Sequence, residues 1–78
     1  MRPVPTYEEF RDIIWNQVKK DATGWDQDDL KKYLEKEEDV IVYEYEKALK
    51  EYNAGEITHR QFTEGIPATV AYNLEMSY

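Results

Sequence analysis

The residue types that carry nucleophilic catalysis are nearly absent from this chain, which holds one serine, Ser77, one histidine, His59, and no cysteine. A hydroxyl or thiol nucleophile must be held against a base. Ser77 stands beside the C-terminus, and His59 follows the helix-capping Thr58, where it reads as a solvated surface residue. Without cysteine there are no disulfides, thiolate zinc sites or iron–sulfur clusters. Carboxylates, by contrast, are abundant: Glu37, Glu38 and Asp39 are contiguous, and Asp26, Asp28 and Asp29 cluster. General acid–base chemistry needs a pocket that desolvates one carboxyl and raises its pKa. A helical chain this short rarely builds one, so both clusters read as solvated charge. As a calcium loop, a register starting at Asp26 places Asp28 and Glu37 well but sets Leu30 where a ligand belongs and Lys31 where glycine is required. Registers starting at Asp21 and at Lys50 fail as well, and the three isolated glycines form no phosphate loop. No catalytic residue, metal site or cofactor is expected.

Surface charge is what remains. Seventeen acids face ten bases over 78 residues, a net of -7, beside 41% hydrophobic and 14% aromatic residues. That is too apolar for a disordered tail. The acidity opposes direct contact with nucleic-acid phosphates or an anionic membrane. The longest apolar stretch, Val40 to Tyr43, is far too short for a leader or a membrane span. The expectation is therefore one small domain, residues 1-78, in the cytoplasm.

Three helices must position this charge. Thr6 and Glu9 form a capping box before an apolar series of Tyr7, Phe10, Ile14 and Val18, giving a first helix over Tyr7 to Ala22 with Gly24 as its left-handed stop. Asp26 caps a second helix, in which Leu30, Leu34, Ile41, Tyr45, Ala48, Leu49 and Tyr52 share one stripe, so the reading is a single long helix to Tyr52. Two features oppose its continuity: Glu38 falls inside the apolar stripe, and Val40 to Tyr43 is a β-branched run. Residues 37-39 are where such a helix would break. Gly55 then ends it and Thr58 with Gln61 caps a third, which carries Phe62, Ile66, Val70 and Leu74 on one side and must kink at Pro67 or restart near Ile66. The fold expected is all-α, a small antiparallel three-helix bundle with a long central helix.

Residues 26-56 carry eleven acids and five bases, so six of the seven net negative charges belong to the second helix and its flanks. On the helical wheel Asp28, Glu35, Asp39 and Glu46 line one side of the apolar stripe and Glu37, Glu44 and Glu51 the other. This is either a solvated face laced with pairs such as Glu46 to Lys50 or an acidic docking surface. Tyr43 projects from the polar side and Trp15 from the flank of the first helix, both of the type that anchors interfaces. In size and acidity the chain resembles small phage-encoded proteins that block host nucleic-acid enzymes. The expectation is a non-enzymatic binding module whose acidic residues and Tyr43 engage a basic surface on a protein partner, such as a nucleic-acid-binding groove. The alternative is a structural homodimer that buries its aromatic-rich helices between two copies.

Overall fold

The computed structural model describes residues 4-77, and among these every regular element is helical, with no strand. The elements are α1 (Tyr7–Asp21), α2 (Gln27–Lys36), α3 (Glu38–Asn53), a π-helical turn (Gln61–Gly65) and α4 (Ile66–Met76).

Local chemistry sets most boundaries. The Thr6 hydroxyl accepts from the Glu9 amide at 3.2 Å while Glu9 accepts from the Thr6 amide at 3.1 Å. Asp26 accepts from the amides of Asp28 and Asp29 at 2.9 and 3.2 Å. Thr58 and Gln61 repeat the reciprocal box at 3.1 and 2.8 Å. Each cap satisfies amides that a helix start leaves without carbonyl partners. Gly55 adopts φ 77°, the left-handed conformation expected after α3, but Gly24 does not. The first helix instead ends at Ala22, where ψ turns to 52°, and the Trp25 amide bonds back to the Ala22 carbonyl at 3.2 Å.

The long second helix is two helices, which corrects the expected count from three to four. The interruption is one residue, Glu37, at φ -92° and ψ 12°. Its amide still reaches the Tyr33 carbonyl at 3.0 Å, but its own carbonyl takes the Val40 amide at 3.1 Å in a tighter turn and the Ile41 amide only at 3.4 Å. A new helix start at Glu38 sets Glu38 and Asp39 against the positive end of a fresh dipole instead of crowding them in mid-helix. The break also lets Glu38 turn to α1, where it accepts from the Tyr7 hydroxyl at 3.3 Å and lies 3.7 Å from the Arg11 guanidinium. That explains an acid inside an apolar stripe.

Ahead of Pro67 α4 restarts at Ile66, one of the two expected outcomes, behind a π-turn in which the Ile66 amide bonds to the Gln61 carbonyl, five residues back. This wider turn removes the demand for an amide that proline lacks and seats Pro67 in the first turn of α4, fully buried.

Phe10 packs edge-on to Phe62 at 6.0 Å, and Asp21 reaches Glu75, so α1 and α4 run parallel. Tyr45 meets Phe10 at 5.3 Å and Tyr52 meets Phe62 at 5.7 Å, which turns α3 antiparallel to both. These rings join Ile14, Val18, Leu30, Leu34, Ile41, Val70 and Leu74 in one core. Burying such side chains contributes roughly 1.5–3 kcal/mol each before chain entropy is counted.

Candidate functional site

The groove between α3 and α4 gathers more of the singled-out residues than any other surface. It has a wider section of about 250 Å³ and a narrower one of about 120 Å³, which adjoin at the shared residues Glu44, Val70 and Asn73. Ala48, Val70, Ile66 and Leu74 supply apolar floor and sides. Glu51 stands at the wide end, Glu44 in the middle and Glu37 at the narrow end. Residues seven apart on a helix differ by only about 20° in direction, which puts Glu44 and Glu51 in a row along one wall of α3, and Glu37, at the break just ahead of α3, extends it. Val40, 42% exposed, lies between them in the narrow section.

The facing wall is chemically different. Thr69, Val70, Asn73 and Ser77 present small or neutral polar groups and no charge. Among the described residues Lys47 is the one cation lining the groove. Among the described residues neither it nor the three glutamates is tied up in a salt bridge.

The other candidates are spread out. Tyr43, 63% exposed, stands about 100° around α3 from Glu44, on the outer shoulder of the groove. Asp39 and Glu46 are exposed on the far side of α3, and Asp28 and Glu35 are exposed on α2, which the break at Glu37 separates from the α3 register. Trp15 is half-buried against the core with the Arg11 guanidinium 4.9 Å from its ring centre and the Lys19 ammonium at 5.8 Å. Its indole face is thus occupied from within the chain. Sequence reasoning passed over Thr69 and Asn73; the available signal was the run free of charged residues between Glu64 and Glu75.

Two further constellations are internal. Tyr7 is pushed up to about 12, by burial first and then by the Glu38 carboxylate that accepts its hydrogen bond. Tyr33 is raised by burial and by the nearby charge of Glu37, and its hydroxyl donates to the Leu74 carbonyl at 2.8 Å, tying α2 to the end of α4. Among the described residues no three metal-ligating side chains converge, and no helix is long and apolar enough to cross a membrane. No family model matches the chain, no curated protein matches its sequence, and no solved structure matches its fold.

Proposed function

We propose that this protein is a non-enzymatic binding module that engages a basic surface on a protein partner through the acidic wall of α3. The observation that carries the reading is the convergence of Glu37, Glu44 and Glu51 on one groove with an apolar floor. Localised charge of one sign steers association and selects partners of opposite sign. Its more specific form is an inhibitor that covers a basic, nucleic-acid-binding surface of the partner, with Tyr43 at the contact edge. Affinity capture from the source cell, washed at low and at high salt, tests this. A basic protein should be retained at low salt and released at high salt, and the Glu37→Gln, Glu44→Gln, Glu51→Gln triple variant should retain much less of it. Equal retention by the wild type and the triple variant would sink the proposal.

A structural homodimer is the second reading, favoured by Tyr72 and Met76, which are 59% and 70% exposed and lie four residues apart on α4. Sedimentation at rising protein concentration separates the two, since a monomer at high micromolar concentration excludes a dimer of this kind.

A further inference from the structure

We infer that the α3–α4 groove receives a single amphipathic helix from the partner, lying along α3 with a basic edge toward Glu37, Glu44 and Glu51; the inference rests on the proposed acidic-wall function. Spacing is the first argument. Residues seven apart on a helix rise by about 10.5 Å, the interval between Glu44 and Glu51 on α3, and Glu37 at the head of α3 extends the row. A partner helix bearing one Lys or Arg per seven residues repeats at that interval. A nucleic-acid strand carries one charge per about 3.4 Å of axis, so the row does not reproduce a phosphate backbone.

The second argument is the asymmetry of the walls. An acidic wall on α3, an apolar floor of Ala48 and Val70, and an uncharged wall at Thr69 and Asn73 ask for three different faces at successive angles. An amphipathic helix offers them: a basic edge, an apolar stripe and a neutral polar edge, in the helix-in-groove mode of recognition. The two sections adjoin at Glu44, Val70 and Asn73, so the lining residues of α3 and α4 extend beyond what one anchoring side chain would need.

The probe is a synthetic peptide of about 18 residues with Leu on one face and one Lys per seven residues at its edge. A second peptide has the same composition shuffled out of the helical period. Calorimetric titration into the full chain at low salt should give binding at least about tenfold tighter for the first, with a gain in peptide helicity. Asn73→Trp fills the middle of the groove from an exposed position while leaving the charges of the acidic row in place, and should weaken the first peptide about tenfold. Asn73→Lys, which brings a competing cation to the wall facing the acidic row, should act the same way, and circular dichroism confirms that each variant is folded. Neutralising the three glutamates should cost severalfold to tenfold, as exposed ion pairs do. If the shuffled peptide binds equally well, or if both Asn73 variants leave binding intact while the glutamate variant weakens it, the helix-in-groove inference is overturned and the acidic-wall function stands. If the glutamate variant also leaves both peptides unaffected, that function falls as well.

Discussion

Asp21 and Glu75 bring two carboxyl groups together where α1 and α4 end. Glu75 Oε1 is buried with no hydrogen-bond partner among the described residues, and the side chain that acts on Glu75 there is the carboxyl of Asp21. Glu75 is raised above the ordinary glutamate value, by burial first and then by Asp21. Asp21 is lowered, chiefly by the Gln17 side-chain amide, which donates to it at 2.9 Å, and then by the bond with Glu75. The signs are opposite. Glu75 contributes stability that is full below its unfolded pKa and is lost as pH rises through its raised folded value. Asp21 contributes stability that is present above its unfolded pKa and is lost as pH falls through its lowered one. Wild type minus Glu75→Gln should therefore show a melting-temperature difference that moves against the wild type as pH climbs from the ordinary glutamate range toward neutrality. A difference flat across that range would mean that burial and Asp21 do not raise Glu75 in the folded chain.

Among the elements, the two glycines that flank the connection into α4 have opposite roles and give opposite expectations. Gly55 holds φ 77°, where a side chain is strained, so Gly55→Ala should lower stability by about 1 kcal/mol. Gly65 has helical φ and ψ, and an added Cβ would meet only Gln61 Cβ at 4.0 Å, an ordinary contact. Gly65→Ala should raise stability by about 0.5–1 kcal/mol, and denaturant unfolding of both variants checks the pair. The contrast marks what the sequence could reveal. Caps, the apolar stripes and the turn at Gly55 are local chemistry, and Thr6, Asp26, Thr58 and Gly55 announce them by residue type. Glu38 and the β-branched run after it likewise marked the place where the long helix divides. The π-turn was not legible, because it depends on how α4 must seat a buried Pro67 against neighbours distant in sequence. The groove was half legible: the heptad row on α3 is visible on a helical wheel, but pairing it with Thr69 and Asn73 requires knowing that α3 and α4 run antiparallel with a gap between them.

For the whole molecule the question is what a charge of -7 does to a fold of this size. The sequence invited the view that the charge is neutralised locally by pairs along the helices, Glu46 with Lys50 among them. That pair does not form within 4 Å among the described residues, and the one ion pair four residues apart is Arg60 with Glu64 at 2.9 Å, outside the acidic region. Carboxylates one heptad apart on α3 stand at about the Debye length of 0.1 M salt, and each such pair repels by about 0.4 kcal/mol in water before screening. Self-repulsion thus opposes folding at low ionic strength, and added salt relieves it. The same salt screens the attraction to a basic partner. Raising ionic strength from about 0.01 M to about 0.15 M should therefore raise the melting temperature while weakening partner binding, two slopes of opposite sign from one set of side chains. Thermal unfolding and peptide titration across one salt series measure both. A melting temperature that falls with salt would mean that attractive pairs dominate the acidic region, and that the carboxylates of the groove are held by the fold instead of left open for a partner.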